Sequence, residues 1–365
     1  MTERDKNIGF ALKKGSLCKR LNRDEAFALV SLSSPSDIHR LGKAALKNRM
    51  LRYGRVATYI ENLVVNPSNI CEGKCRFCHY RAEKKDPKAY IMDEKEILKK
   101  IADYQPVEMH LVGGLNEFWH FQRYLSLLRD IRDRWPSIHL KTFTAIEINY
   151  FAKMEHTSPE EILKKLKVVS VNGLTGGGAE MFSHRIRTAY CPDKLSPENW
   201  LAIHKIAHKA GLMTNATMLY GLGEKYEEIL DHLLILRSLQ DETGGFSCFI
   251  PLPYQPARDN ESESGPAVLD NLKMIGLARL ILDNFNHIKA YWPMIGLETA
   301  AAGLSWGADD LDGTLGEEKI AHAGRANSPL KTTKEIMEDT IRTGGFIPYA
   351  RDGLFSVLKR KDLRI

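Results

Sequence analysis

From residue 55 onward the chain alternates between two hydrophobic rhythms. Short runs rich in β-branched and aromatic residues predict eight strands: "ATYIENLVV", "VEMHLVGG", "LKTFTAIEI", "LKVVSVN", "LMTNATMLYG", "FSCFIPLP", "HIKAYWPM" and "WGADDLDGT". Between them lie stretches with apolar residues three and four apart. "DEKEILKKIADY" opens on acids, and "SPENWLAIHKIAHKAG" has a Ser cap, Pro at the first helical position and a terminal Gly. "KYEEILDHLLILRSLQDETGG" and "PAVLDNLKMIGLARLILDNF" keep the same helical spacing. Eight strand–helix units in succession predict an α/β fold with a closed parallel (β/α)8 barrel of the TIM type.

Residues 17–53 are periodic with few breakers until Gly54, so residues 1–54 are expected to form a helical N-terminal extension. The barrel is expected over residues 55–325. A short C-terminal cap over 326–365 holds "TTKEIMEDTIRTGGFIPYARDGL". A parallel barrel gathers its chemistry at the C-terminal ends of its strands. Those ends include the loop after Asn66, "VGGLN" (112–116), "TAIE" (144–147), "VNGLTGGGAE" (171–180), "NATMLYG" (215–221), "PLPYQP" (251–256) and "ADDLDGT" (308–314). Each alone reads as turn chemistry. Their recurrence at one end of successive units makes Asn172, Asn215 and Thr217 pocket candidates by position.

Composition narrows the class. The 365 residues are 43% hydrophobic and 27% charged, the balance of a globular protein with a full core. No apolar run approaches the ~20 residues of a membrane span. The segment "MTERDKNIGFALKKGSL" has no apolar core of a secretory signal, so a cytoplasmic location is expected. Net charge is +6, but the 52 basic residues are interleaved with 46 acidic ones, so no one-sided nucleic-acid footprint emerges.

Three of the six cysteines, Cys71, Cys75 and Cys78, fall within eight residues of "NPSNICEGKCRFCHY". Such clustering points to metal or redox chemistry rather than disulfides. A structural zinc site wants four ligands, and His79 or His110 is available as the fourth. Structural zinc sites usually pair two short knuckles, however, and no second one lies nearby. A [4Fe–4S] cluster held by three thiolates leaves one iron open to an outside ligand, and C-x3-C-x2-C in the loop after a first barrel strand fits that reading best. Cys248, in the apolar run "GGFSCFIPLP", reads as a buried inert thiol. Cys18 and Cys191 have no neighbours that suggest a second site.

With Phe77 in its aromatic slot, "CEGKCRFC" resembles the signature of the radical S-adenosylmethionine (SAM) enzymes. The segments "EMHLVGGLN", "LKTFTAIEI", "GGGAEMF", "CPDKLSPENWLAIHKIAHKAGLMTNATMLYG", "HLLILRSLQDETGGFSCFIPLPYQP", "HIKAYWPMIG" and "GADDLDGTLGEEKIAHAG" extend the likeness across residues 55–325. Together they resemble the aminofutalosine synthase family of the futalosine route to menaquinone. The resemblance implies a radical SAM barrel with a [4Fe–4S] cluster on Cys71, Cys75 and Cys78, and SAM consumed as co-substrate. It implies transfer of the 5′-deoxyadenosyl group to a small aromatic enol-ether carboxylate, 3-[(1-carboxyvinyl)oxy]benzoate. Rearrangement and loss of the carboxylate then give 6-amino-6-deoxyfutalosine. A low-potential donor such as flavodoxin or ferredoxin is the implied electron source.

Residue by residue, the resemblance puts Phe77 beside the adenine and the backbone of Gly113 and Gly114 beside the SAM amino group. It makes Glu147, at the end of the third strand, and Asn172 further cofactor-binding candidates. Arg187 is a candidate fork for a carboxylate of SAM or substrate, because a planar guanidinium suits bidentate anion binding. A surface ion pair is its plainer reading. Asp309 and His322 are candidates for the catalytic set. Asp309, Asp310 and Asp312 read equally well as ordinary turn and cap chemistry, and a lone helical His is usually structural. Thr175 and Leu222 depart from the Pro and His of the family pattern, which touches substrate identity. The sister enzymes, dehypoxanthine futalosine cyclase and the FO synthase subunits, share the cluster loop and use the radical to abstract hydrogen. A zinc or electron-transfer module is the alternative from another class.

Overall fold

The structure is a computed structural model that describes residues 3–260 and 262–358. Nine parallel strands form one sheet: β1 (Val56–Val65), β2 (Glu108–Leu111), β3 (His139–Thr142), β4 (Gly173–Leu174), β5 (Met213–Tyr220), β6 (Phe246–Pro253), β7 (His287–Ala290), β8 (Asp310–Thr314) and β9 (Ile347–Ala350). Strands β1 to β8 pair in chain order, and β1 closes the ring by pairing with both β8 and β2. This is the eight-stranded barrel that the alternating rhythm predicts.

Three helices precede the barrel: α1 (Glu3–Ser16), α2 (Arg23–Val30) and α3 (Pro35–Tyr53). The connecting segments carry α4 (Glu94–Tyr104), α5 (Phe121–Arg134), α6 (Ala145–Met154), α7 (Pro159–Val168), α8 (His184–Tyr190), α9 (Pro197–Lys209), α10 (Tyr226–Thr243) and α11 (Val268–Ile281). After β7 come α12 (Trp292–Ile295) and α13 (Leu297–Leu304), and after β8 come α14 (Lys319–Ala323) and α15 (Lys334–Thr343). Side-chain caps start many of them. Asn22 with Glu25 and Asp93 with Glu96 form reciprocal capping boxes, while Ser34, Ser158 and Ser196 each precede a proline at the first helical position.

The expected elements differ from the observed ones in three places. Residues 17–53 are not one helical stretch. Helix α1 lies ahead of it, and the caps Asn22 and Ser34 divide the remainder into α2 and α3. The run "LKVVSVN" (166–172) contains no strand residue, and β4 begins just after it. Ile162, Leu163 and Leu166 share the buried face of α7, which runs to Val168, so helical periodicity overrides the local β-branched pair and leaves β4 two residues long. The third predicted strand also stops early. Thr144 and Glu147 of "TAIE" form the capping box that opens α6, so Glu147 sits in a first helical turn and not at a strand end.

The N-terminal helices are stitched to the barrel shell. Arg20 bonds both Asp241 and Asp283, Lys273 Nζ reaches Leu32 O at 2.6 Å, and Gly42 packs against Trp306 where no larger side chain fits. At the other end of the chain, α15 leads into β9, which pairs with the first residues of β1, from Val56↔Ile347 to Tyr59↔Ala350. The first two residues of the N-terminal extension and the last seven of the C-terminal cap lie outside the described residues.

Along the barrel, Tyr59, Leu63, Met109, Leu111, Leu140 and Leu311 pack outward into the main hydrophobic core. Their neighbours on the lumen side are polar and fully buried: Glu108, Lys141, Lys289, Asp310 and Asp312. Charges survive there only because they are paired. Arg351 grips Asp310 in two hydrogen bonds (2.5 and 2.8 Å), and Lys289 bonds Asp312 and lies 3.5 Å from Asp310.

Candidate active site at the C-terminal end of the barrel

The loop between β1 and α4 is held open by its own polar side chains. Asn66 Nδ2 donates to Val112 O (2.9 Å), Ser68 Oγ to Tyr90 O (2.8 Å) and Asn69 Nδ2 to Lys88 O (2.9 Å). Tyr90 returns a bond from its hydroxyl to Asn66 O (2.9 Å) and meets Tyr80 hydroxyl to hydroxyl at 2.6 Å. The "NPSN" run is therefore a clamp for the thiols that follow it. Cys71, Cys75 and Cys78 all line one cavity of ≈ 360 Å³ that opens through the loop and continues into the barrel lumen.

The three thiols suit a cluster better than a single ion. Tetrahedral zinc needs its sulfurs converging at about 2.3 Å on one point. Among the described residues, no three His, Cys, Asp or Glu side chains are gathered that way. A cubane takes one thiolate per iron at separate corners. Of the two possible fourth zinc ligands, His110 is engaged with Glu108, its Nε2 2.7 Å from Oε1, while His79 lines the cavity with its Nε2 unbonded among the described residues. The Leu115 N–H points at Cys71 Sγ (3.4 Å), a donor suited to a metal-bound thiolate. Burial pushes the Cys75 thiol up to about 12 and raises that of Cys78, so both stay protonated until a cation replaces the proton. The donor set fits a three-thiolate [4Fe–4S] cluster.

Around the thiols the walls come from the ends of the barrel strands and the loops that follow them. Gly113 and Gly114 follow β2, and their lack of side chains is a packing requirement. A Cβ on Gly114 would lie 2.1 Å from Ile70 O and 3.0 Å from Cys71 Cβ. Glu147 locks this turn in place: the Gly113 N–H donates to Oε1 (3.0 Å), while the Thr144 N–H and hydroxyl donate to Oε2 (2.7 and 2.9 Å). Burial raises the Glu147 carboxyl to about 7 even with those donors. Gly176 sits so close to Asn215 O and Thr217 that a Cβ would come within 2.7 Å of each, which keeps the "GGG" backbone flush with the cavity. Phe77 lines the opening, with Lys194 Nζ 5.2 Å from its ring and paired to Glu180.

Deeper in the lumen the cavity meets Ile250, Leu252 and Met294 on one side and His110, Asn215, Thr217, Tyr291 and Asp312 on the floor. Asn215 Oδ1 accepts from Ser247 (2.8 Å) and from the Cys248 thiol (3.3 Å). Cys248 is thus a buried hydrogen-bonded thiol, as its apolar surroundings predict, and all six cysteines are free.

Phe77, Gly113, Gly114, Glu147, Asn215, Thr217 and the three cysteines are brought together here. Four other expected residues are not. Arg187 is buried away from the cavity, donating to Ala179 O (2.7 Å) and to Leu195 O, where it ties the "GGGAEMF" loop to the start of α9. Asn172 is exposed before β4, its Oδ1 taking the Leu140 N–H (2.8 Å) and Arg132 (3.1 Å). Asp309 precedes β8, at the closed end, bound by Arg279 and His287 Nδ1 (2.6 Å). His322 turns its Nε2 to Ser328 Oγ (2.9 Å), and its neighbours Ala321 and Gly324 line the cavity instead. The residues that the sequence reading passed over are Tyr291 and Glu318, and it named His110 only as a possible zinc ligand. Alternation along β2 was the available signal for His110, since it shares the lumen side with Glu108.

Residues 65–236 match the Radical SAM superfamily, and residues 243–362 match the CofH/MqnC C-terminal region. The chain belongs to the radical SAM superfamily. It is 38% identical over 345 residues to the aminodeoxyfutalosine synthase of Thermus thermophilus, covering 92% of each chain. It is 35% identical to the same enzyme of Streptomyces coelicolor, over 93% of this chain and 91% of that one. The 5-amino-6-(D-ribitylamino)uracil–L-tyrosine 4-hydroxyphenyl transferase of Methanopyrus kandleri is 33% identical over 92% of this chain and 94% of its own. Among solved structures, methylornithine synthase superposes with a TM-score of 0.74 at 17% identity, over 93% of this chain and 97% of its own, which shares the fold alone.

Proposed function

We propose that the protein is a radical SAM aminodeoxyfutalosine synthase, joining the adenosyl group of SAM to 3-[(1-carboxyvinyl)oxy]benzoate to form 6-amino-6-deoxyfutalosine for menaquinone synthesis. The supporting observation is that the cysteine loop opens onto one continuous cavity running into an apolar-walled lumen, in a chain alike over nearly its whole length to two such synthases. Cys71, Cys75 and Cys78 would hold the [4Fe–4S] cluster. Gly113, Gly114 and the Gly176–Gly178 backbone would take SAM, with Phe77 beside it. With SAM bound, the cluster supplies a 5′-deoxyadenosyl radical.

The protein's own share is positioning and exclusion. Glu147 fixes the Gly113 turn, so the backbone facing SAM is set before the ligand arrives. Ile250, Leu252 and Met294 keep water and polar hydrogen donors from the reacting carbons. An alkyl radical held in contact with a double bond, roughly 3–3.5 Å away in a near-attack arrangement, adds to it before meeting a hydrogen donor.

Electrons must enter from outside. Beside the loop lies a second, open hollow of ≈ 750 Å³ with Cys75 and Cys78 on its wall and Lys74, Arg76, Arg81, Lys88 and Arg258 around it, against two acids, Glu83 and Asp259. That charge suits an acidic one-electron carrier of the flavodoxin or ferredoxin type, and the reading carries with it the reducing cytoplasm. Reversing Lys74 and Arg76 to Glu should slow cluster reduction by reduced flavodoxin roughly tenfold at low salt while leaving reduction by dithionite unchanged. Equal slowing with both reductants would count against this face.

The reaction itself is tested by product analysis under reducing, oxygen-free conditions with SAM and 3-[(1-carboxyvinyl)oxy]benzoate. One 6-amino-6-deoxyfutalosine and one methionine per SAM are expected. Turnover only with tyrosine and a ribitylaminouracil would move the chain to the 4-hydroxyphenyl transferase branch.

A further inference from the structure

Beneath the cavity floor, three basic side chains surround one carboxylate. Glu108 is fully buried, with His110 Nε2 2.7 Å from Oε1 and Lys141 Nζ 3.1 Å from Oε2; His139 Nε2 stands 3.9 Å from Oε2. Three basic groups therefore face one carboxylate, and Lys141 is the one of them that is not an imidazole. The other acids on the cavity lie outside this group, Asp193 in the loop after α8 among them. Glu147 is spent on Gly113 and Thr144, Glu180 on Lys194, Asp312 on Lys289 and Glu318 on the first N–H groups of α14. The more distant charges toward the closed end, Arg351 and Asp310, are paired with each other.

The same layer contains polar atoms without partners. Both side-chain atoms of Asn62 and the hydroxyl of Thr314 are buried and unbonded among the described residues. Asn62 is in register with Glu108 on one side and Thr314 on the other, so all three face the lumen. A floor with surplus basic groups and spare hydrogen-bonding capacity is built to accept an anion. His110 is the member of this set that lines the cavity, and no protein group bonds its Nδ1 among the described residues.

We propose that His110, held by Glu108 and Lys141, forms a carboxylate subsite at the cavity floor that receives the ring carboxylate of the aromatic substrate. The assignment to the ring carboxylate rests on the synthase reading above. The enol-ether carbon must face the SAM end, near Gly113 and Gly114, so the carboxylate on the far side of the ring is the one that points down the lumen. The subsite sets substrate orientation. It also distinguishes a dicarboxylate from an otherwise identical monocarboxylate.

The test is a ligand–variant cycle on cluster-loaded, SAM-bound enzyme without reductant, so that binding is read without turnover. Wild type should bind 3-[(1-carboxyvinyl)oxy]benzoate roughly 10- to 100-fold more tightly than 2-phenoxyacrylate, which lacks the ring carboxylate, as expected for one charge-assisted hydrogen bond. In His110→Asn that preference should fall to a few-fold, with weakened binding confined to the dicarboxylate. Calorimetry on wild type alone gives a reading that does not depend on the variant folding. At pH 8 the two wild-type isotherms should give that roughly 10- to 100-fold ratio directly. An undiminished preference in a folded, iron-replete His110→Asn, or equal affinity of wild type for both ligands, overturns the subsite. Failure of wild type to bind either ligand would instead overturn the synthase reading on which it rests.

Discussion

The two ends of the barrel draw on the same kinds of polar residue and use them in opposite ways. At the N-terminal end the buried carboxylates of Asp309 and Asp310 have protein partners. Arg351 and Lys289 hold Asp310, Arg279 and His287 hold Asp309, and β9 covers the entrance beside β1. At the C-terminal end the notable groups are ones whose partners lie outside the protein. Buried thiols carry protons they would give up to a metal, glycine backbones press against the cavity, and His110 shows it an unbonded nitrogen. Pairing of the aspartates around β8, more than their identity, separates their end of the barrel from the one where thiols and glycine backbone line a cavity.

Changes at the reactive end should remove function and leave stability, and the largest effect is expected at the thiols. Ala at Cys71, Cys75 or Cys78 should abolish cluster incorporation and SAM cleavage, read as iron content and methionine release, without altering the circular dichroism of the iron-free protein. Cys18, Cys191 and Cys248 should be replaceable with iron retained. Iron loss in a well-folded Cys248→Ala would break the comparison. At the closed end the reverse holds. Arg351→Ala leaves Asp310 buried with Lys289 3.5 Å away as its remaining cationic partner, at a cost of about 3–5 kcal/mol in denaturant unfolding. SAM affinity should be unchanged below the transition, and lost affinity with stability intact would contradict the structural role.

The smallest effect is in pH. Burial depresses His139 and His208 to about 4 and His232 to about 3. Their contribution is present above the ordinary value of about 6.5 and lost as pH falls through the folded values. Burial raises Glu147 and Glu318, both on the cavity, to about 7. Their contribution is present below about 4.5 and lost as pH rises toward 7. The urea midpoint should therefore fall on acidification from about 6.5 to 4, and more steeply in Glu318→Gln, where one opposing carboxyl is gone. A midpoint that rises over that window would show the imidazoles to be ordinary.

Much of this contrast is legible in the chain, and its gaps have physical causes. Barrel strands and shell helices differ in period, so the eight-fold rhythm is visible, and thiol spacing identifies the cluster loop without knowledge of the fold. Charged residues carry no such local mark. Asp309 and Asp312 are three positions apart in "ADDLDGT", yet one precedes β8 and binds Arg279 while the other faces the cavity. Arg187 has the chemistry of an anion fork, but its guanidinium is spent on the carbonyls of Ala179 and Leu195. Glu147 was expected at the cofactor end and lines the cavity, although its place in a capping box was written in "TAIE" and overshadowed by the apolar run around it.

The central claim is that the adenosyl group ends in the product, and isotope partition tests it most directly. SAM labelled on the adenosine carbons is turned over with 3-[(1-carboxyvinyl)oxy]benzoate under strictly anaerobic, reducing conditions. Label should appear in a compound that also contains the benzoate ring, with free 5′-deoxyadenosine a minor, uncoupled product. Recovery of all the label as 5′-deoxyadenosine, with this and every enol ether offered, would contradict the account and assign the barrel to hydrogen abstraction.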